Sequence, residues 1–255
     1  MRDATFEAKF AGFALPDAVT TIGTYAFRGC TGLAEIIIPE GVKKLDAYTF
    51  SMCSALSSIV LPASLTSISA DAFNGCTTLV ATVTPLSYAH AWCVSNKIAL
   101  SGMQERPEEF TYSVNLTTKA ATITGYTGQD EEIVIPEAIC GLPVTAVGGS
   151  AFKGKTALRH VVIPEGITTL GTYAFSGCTS LEGVVLPEGL LTISNYAFQN
   201  CTMLTSLEIP ESVNSMATYV FKGCTELVLQ VKPGSYAQAW CDTNNAAYEV
   251  IGVAE

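Results

Sequence analysis

The 255-residue chain predicts an α/β-type repeat solenoid of short parallel strands, turns and short helical segments, arranged as two stacked arrays with caps. Three observations carry that expectation. Ile/Leu-Pro pairs recur every 23 residues, phenylalanine and cysteine columns keep the same spacing, and two matching Ser-Tyr-Ala segments stand one in each half of the chain. A fixed period in the twenties means stacked supersecondary units, because one such unit cannot cover its own apolar face.

The pairs are Leu15-Pro16, Ile38-Pro39 and Leu61-Pro62, then Ile163-Pro164, Leu186-Pro187 and Ile209-Pro210. Phe27, Phe50 and Phe73 keep step with them, as do Phe175, Phe198 and Phe221, with Phe152 one rung earlier. Three residues after each but Phe152 come Cys30, Cys53, Cys76, Cys178, Cys201 and Cys224, and three further on stand Leu33, Leu56, Leu79, Leu181, Leu204 and Leu227. Within one rung, Leu33, Ile36 and Ile38 read as a short strand that Pro39 ends. Val42 and Leu45 form a second apolar pair, and Ala47 to Cys53 read as a short helical turn. Stacking at about 4.8 Å turns the inward residues into ladders of Phe over Phe, Leu over Leu and Cys over Cys. A small thiol suits a tight buried position with little demand for hydrogen bonds.

Each array closes on the same segment: Pro85-Leu86-Ser87-Tyr88-Ala89-His90-Ala91-Trp92-Cys93 and Pro233-Gly234-Ser235-Tyr236-Ala237-Gln238-Ala239-Trp240-Cys241. A helix begun by serine and carrying Tyr and Trp on one side covers an exposed apolar end. Polar residues with Gly102 and Pro107 mark 101–109 as a linker. The domains are therefore 1–100, a first array with a C-terminal cap helix, and 110–255, a second array with caps at both ends. Phe110 to Gly128 holds two alternating runs around Asn115 to Lys119, read as a hairpin over the start of the second array. Its first rung, from Ile135 to Ile163, is longer than the others, with extra residues around Cys140-Gly141-Leu142-Pro143. The first array lacks such a start, although Phe10, Phe13 and Leu15 sit where a preceding rung places strand residues, so the chain is expected to be part of a longer protein.

The composition bounds the partners. With 49% hydrophobic and 14% charged residues, the chain can bury a substantial core. A formal charge of −10, from 23 acidic and 13 basic residues, argues against nucleic acid and anionic membranes, which need clustered Lys and Arg. There is no apolar run long enough to span a bilayer, and Met1 to Leu15 shows no signal-peptide pattern, so no direct membrane insertion is expected.

The pattern Leu181-x-x-Val184-x-Leu186-Pro187-x-x-Leu190-x-x-Ile193-x-x-x-Ala197-Phe198-x-x-Cys201 resembles the BspA-like, or treponemal-type, leucine-rich repeat. The resemblance covers nearly the whole chain and extends to Phe110–Gly128, Gly141-Leu142-Pro143-Val144-Thr145 and the Gly-Ser-Tyr-Ala cap. Departures are Asp71 for Tyr, Thr49 and Val220 for Ala before Phe, and Lys155 for Cys. The resemblance implies secretion or attachment to a bacterial surface, and adhesion to host or bacterial proteins.

Catalysis by a Ser-His or Cys-His site must use His90 or His160, because there are no others. His90 stands where the other cap has Gln238, and His160 fills a variable strand position, so both read as structural or surface residues and no enzyme is expected. One cysteine per rung does not make a zinc set, and cysteines aligned along a column are badly aimed for bridging, so free thiols are expected and no cofactor is implied. Cys93, Cys140 and Cys241, outside the ladders, are the candidates for reactivity. Asp17, Glu40, Glu137, Glu165, Glu188 and Glu211 follow the prolines, with Ala63 the exception. These isolated carboxylates make a poor calcium cage and read as solvated turns.

Two surfaces are candidates for a protein or glycan partner on a host or bacterial surface. On the strand face Ile37, Val60, Val162 and Val185 point outward, neighboured by Glu35, Ser58, His160 and Ser206, either as a recognition surface or through β-propensity alone. On the turn face Tyr25, Tyr48, Tyr173, Tyr196 and Tyr219 recur before the Ala-Phe position, either for contact or to cover the ladder. The expectation is a monomeric binding or adhesion module; the alternative is a structural spacer presenting another domain.

Overall fold

A computed structural model describes residues 13–102 and 109–252. Phe10 and most of the expected 101–109 linker lie outside the described residues.

Each rung supplies a few alternating residues before a proline or a turn, and each such run becomes a strand. In the first part these are β1 (Phe13–Ala14), β2 (Glu35–Ile37), β3 (Lys44–Leu45), β4 (Ser58–Leu61), β5 (Ser67–Ile68), β6 (Val80–Val83) and β7 (Ala99–Leu100). Then come β8 (Phe110–Asn115), β9 (Ala120–Tyr126), β10 (Glu132–Val134), β11 (Ala138–Ile139), β12 (Leu142–Val147), β13 (His160–Val162) and β14 (Thr169–Leu170). The series ends with β15 (Gly183–Val185), β16 (Thr192–Ile193), β17 (Ser206–Glu208), β18 (Ser215–Met216), β19 (Val228–Val231) and β20 (Tyr248–Val250). The sheet β1-β2-β4-β6-β7 is parallel throughout, as are β10-β13-β15 and β17-β19-β20, while β3 pairs with β5. In the second unit the second apolar pairs, in β14, β16 and β18, continue through β12 onto β9 and β8 in the sheet β18-β16-β14-β12-β9-β8, with β11 paired to β12.

Most partners stand one period apart, as in Ile36↔Ile59 and Val161↔Val184, but the last rung of each series pairs Ile59↔Ala81 and Leu207↔Leu229, one residue short of the period. Each unit has its own continuous phenylalanine ladder: Phe27, Phe50 and Phe73 stack at 5.1 and 5.5 Å, and Phe152, Phe175, Phe198 and Phe221 at 4.9, 5.4 and 5.7 Å. Phe50, Phe152, Phe175 and Phe198 are fully buried.

Ala47 to Cys53, expected as a short helical turn, is not a helix. Phe50 N–H donates to Ala72 C=O of the next rung at 2.8 Å, and Met52 N–H to Asn74 C=O at 2.7 Å. The same bonds run from Phe27 to Thr49, Phe152 to Ala174, Phe175 to Ala197 and Phe198 to Val220. Donors given to the next rung cannot close the i→i−4 ring of an α-helix. Every such turn also enters the left-handed region after the phenylalanine (Gly29, φ 71°; Met52, φ 63°), and most do so before it as well (Tyr48, φ 59°; Tyr196, φ 59°), the turns at Asp71 and Tyr219 excepted.

Regular helices among the described residues are α1 (Tyr88–Ser95) and α2 (Tyr236–Asn244), both in the expected cap segments. Ser87 Oγ accepts from His90 N–H at 3.1 Å and Ser235 Oγ from Gln238 N–H at 3.2 Å, satisfying a free donor of each first turn. Trp92 meets Phe73 at 5.8 Å and Trp240 meets Phe221 at 6.1 Å, so each helix closes one end of a phenylalanine ladder. At the other end of the second ladder, Phe110 and Tyr126 pack on Phe152 at 6.3 and 5.8 Å. There Lys155, in place of cysteine, donates to Gly128 C=O at 3.2 Å and lies 5.4 Å from the centre of the Tyr126 ring. The Tyr126 hydroxyl donates to Asp130; burial first, and then that carboxylate, push its phenol up to about 12.

The chain forms two compact units, Met1–Glu105 with Val114–Ala120 and Cys140–Leu142, and Arg106–Ser113 with Ala121–Ile139 and Pro143–Glu255.

Candidate binding surfaces

Strand alternation sends Ile133 and Val161 inward and leaves the flanking residues outside. In the second unit the outer row is Val134↔Val162↔Val185, aligned by the parallel register and 66%, 39% and 58% exposed. The neighbouring row is Glu132↔His160↔Gly183. Because Gly183 has no side chain, the His160 ring lies beside its backbone; a Cβ placed there stands 3.7 Å from His160 Cδ2. The imidazole Nδ1 is buried and has no hydrogen-bond partner. His160, Val162, Val185, Ser206, Glu208 and Gln230 line a shallow depression of ≈ 310 Å³.

Charged pairs border this row. Arg159 donates to both carboxylate oxygens of Glu182 at 3.1 and 2.9 Å and stands 3.5 Å from Glu131, and its guanidinium holds the Glu182 carboxyl below the usual range. Lys232 pairs with Glu208 at 3.2 Å, and Gln230 donates to Glu249 at 2.7 Å. In the first unit Ile37 is exposed and Val60 half-buried, and their row continues into the polar Thr82. Val134 is an additional exposed member of the row. The lengthened first rung sets it further from Val162 than one period, so the repeat spacing passes over it.

The tyrosines build a different surface. Tyr25 and Tyr48 stack at 5.3 Å, Tyr173 and Tyr196 at 4.9 Å, and Tyr196 and Tyr219 at 5.5 Å, all nearly parallel. Arg28 covers Tyr25, Lys153 covers Tyr173, and Lys222 stands near both Tyr196 and Tyr219. Much of the ring faces is therefore used within the chain, with Tyr25 and Tyr219 at the two ladder ends the most exposed.

All nine cysteines are free thiols. The ladder thiols have a definite hydrogen-bonding role: Cys53 Sγ donates to Phe27 C=O at 3.0 Å, Cys76 to Phe50, Cys178 to Phe152, Cys201 to Phe175 and Cys224 to Phe198. Burial pushes the Cys53 and Cys178 thiols up to about 11. Cys93, Cys140 and Cys241, the candidates for reactivity if any cysteine is reactive, are buried, and burial raises Cys241 to about 11, which disfavours the nucleophilic thiolate.

His90 is fully buried, and both its nitrogens are engaged. Nδ1 accepts from Leu86 N–H at 2.9 Å, which puts the proton on Nε2, and Nε2 donates to Cys140 C=O at 2.8 Å within the first unit. No lone pair remains for a general base. Gln238 repeats the first contact, its Oε1 accepting from Gly234 N–H at 2.7 Å. Of the acidic column, Glu40 accepts from the N–H groups of Ala63 and Ser64, both at 3.2 Å, at the rung where the column is interrupted. Among the described residues no group of three or more His, Cys, Asp or Glu side chains is arranged to hold a metal, and no helix is long and apolar enough to cross a membrane.

Parallel rungs on one fixed period, Phe and Cys ladders and helical caps define a repeat solenoid. Residues 3–101 and 132–235 match six copies of the BspA type leucine rich repeat region, and the chain belongs to that family. Repeat proteins of this kind are generally non-enzymatic interaction modules. Among solved structures, a leucine rich repeat protein of T. pallidum is 28% identical, over 50% of this chain and 71% of that one, with a TM-score of 0.45. One from Bacteroides capillosus is 28% identical over 49% and 94%, TM-score 0.45. A leucine rich cell surface protein of Faecalibacterium prausnitzii is 20% identical over 95% and 79%, TM-score 0.47. No curated protein matches.

Proposed function

We propose that the chain is a binding or adhesion module of a bacterial cell-surface or secreted protein, recognising a protein partner, or a glycan, through the strand face of its second unit. One observation carries this: Val134, Val162 and Val185 stand in strand register, apolar and exposed, beside the depression near His160. A contiguous apolar row edged by charged pairs has the composition of an interface core and rim. The tyrosine ladder is the weaker candidate, because stacking and cations already occupy ring faces that a partner needs. Membership of the repeat family supports an extracellular location and a role without catalysis.

The test is an array of extracellular-matrix and bacterial surface proteins probed with the chain and with a Val162→Glu/Val185→Glu variant. Both positions are solvent-facing, so the variant is expected to melt within a few degrees of the parent and to lose at least about tenfold in affinity. Specific binding unchanged in the variant moves the interface elsewhere. Absence of specific binding to every surface class leaves the spacer role in its place.

A further inference from the structure

The C-terminal end of the second unit contains an open pocket beside Ala246, at the position where the first unit carries the larger Ile98. The two ends share one backbone plan. Ile98 N–H donates to Cys93 C=O at 2.9 Å and Ala246 N–H to Cys241 C=O at 3.1 Å, while Asn96 Nδ2 and Asn244 Nδ2 donate to the carbonyls of Trp92 and Trp240 at 2.9 and 2.8 Å. The following strands also match, Ala81↔Leu100 and Leu229↔Tyr248. Within that frame Ile98 packs against the first unit's core, whereas its counterpart Ala246 carries only a methyl group. Beside Ala246 is a pocket of ≈ 390 Å³. Leu227, Leu229 and Trp240, all buried, form its floor; Phe221, half-buried where Phe73 is buried, forms a wall, and the exposed Tyr219 and Lys222 stand at the rim.

We propose that this pocket binds a small aromatic carboxylate. A benzene-sized guest needs a cavity of about 150 Å³, so the space suffices for a ring and a short acidic arm. The Phe221 and Trp240 rings are set at 81° to one another, which offers one face-on and one edge-on contact to a third ring. The Lys222 ammonium forms no ion pair among the described residues; it lies 5.8 Å from the Tyr219 ring centre, where it supplies the only cationic side chain of the lining. Ring and carboxylate are thus matched by separate parts of one site.

The test is an NMR titration of the whole chain with phenylacetate, followed at the Trp240 indole N–H, which donates to Met216 C=O at 3.1 Å. A saturable shift with a dissociation constant of about 1 mM is expected, with benzylamine and cyclohexylacetate each roughly tenfold weaker. Ala246→Ile installs the group that the first unit already carries and is expected to abolish the shift while raising the melting temperature. Lys222→Gln, a surface change, is expected to weaken phenylacetate by about fivefold and leave benzyl alcohol unaffected. No saturable shift in the parent, or the same affinity after Ala246→Ile, overturns the site. Equal affinity for phenylacetate and benzylamine, or no effect of Lys222→Gln, overturns the carboxylate assignment.

Discussion

The two cap helices do the same mechanical work with different side chains. Both start from a serine that accepts the N–H three residues on, and both lay a tryptophan across the last phenylalanine of a ladder. At the fourth position of the cap, His90 and Gln238 each accept the N–H four residues earlier, so a ring nitrogen and an amide oxygen are interchangeable for that bond. They are not interchangeable for what lies beyond it. His90 has a second partner, donating from Nε2 to the Cys140 carbonyl, and is fully buried. The backbone frame of an array end is thus fixed by capping and stacking, and individual side chains are left to set how tightly it closes and how it responds to solution conditions.

The largest test of that comparison removes the ring on which each tryptophan sits. Phe73→Ala is expected to cost the first unit about 3–5 kcal/mol, the usual range for a buried phenylalanine, and Phe221→Ala about half as much, because Phe221 is already half-buried. Trp92 and Trp240, the two tryptophans, report the units separately in denaturant unfolding followed by fluorescence, each in a background where the other is changed to Phe. Equal losses would show that the two ends are equally closed.

The next test separates them by pH. Burial lowers the folded-state pKa of His90 below the ordinary 6.5, so the unfolded chain takes up its proton first. Stability of the first unit is therefore full above about pH 6.5 and falls as pH drops through that value, by at most about 1.4 kcal/mol per pH unit for one proton, until the folded group protonates as well. His90→Gln keeps the Leu86 acceptor, removes this slope, and costs about 1 kcal/mol at pH 8 through the lost bond to Cys140. An unchanged acid slope in the variant assigns the pH response to other groups.

The ladders were legible in the sequence because a stacked rung repeats its inward residues at a fixed interval, and nothing but the interval is needed to find them. The turn that carries Phe50 was not, since Ala-Tyr-Thr-Phe at 47–50 reads locally as the start of a helix, and the competing bonds come from the neighbouring rung. A signal was present: glycine recurs two residues after the phenylalanine at Gly29, Gly75, Gly154, Gly177 and Gly223, each with positive φ. Tyrosine carries no such signal: Tyr25, Tyr48, Tyr173 and Tyr196 are left-handed, but so is Ser150 at the same position, and Tyr219 is not. On the strand face the period identifies Ile37, Val162 and Val185, but Val134 escapes it through the lengthened first rung. The thiol-to-carbonyl bonds and the opening beside Ala246 depend on distances between rungs and on the tilt of Trp240, which no single rung encodes.

The smallest test addresses the glycine position. Met52 and Asn200 occupy it with φ of 63° and 56°, where five other rungs have glycine. A left-handed conformation costs a residue with a Cβ about 1–2 kcal/mol, but asparagine, whose short polar side chain bonds locally, loses less than methionine. Glycine gives back part of the gain through the greater freedom of the unfolded chain. Met52→Gly is therefore expected to stabilise the first unit by about 0.5 kcal/mol, with Met52 57% exposed and little packing to lose, and Asn200→Gly to leave the second unit within a few tenths of its parent. The order of the two effects, read from denaturant midpoints, is the sensitive quantity. If Asn200→Gly gains more than Met52→Gly, strain is not what distinguishes these rungs, and the Met52 side chain, whose sulfur stands 3.1 Å from where a Cβ on Gly75 would be, contributes more than its exposure indicates.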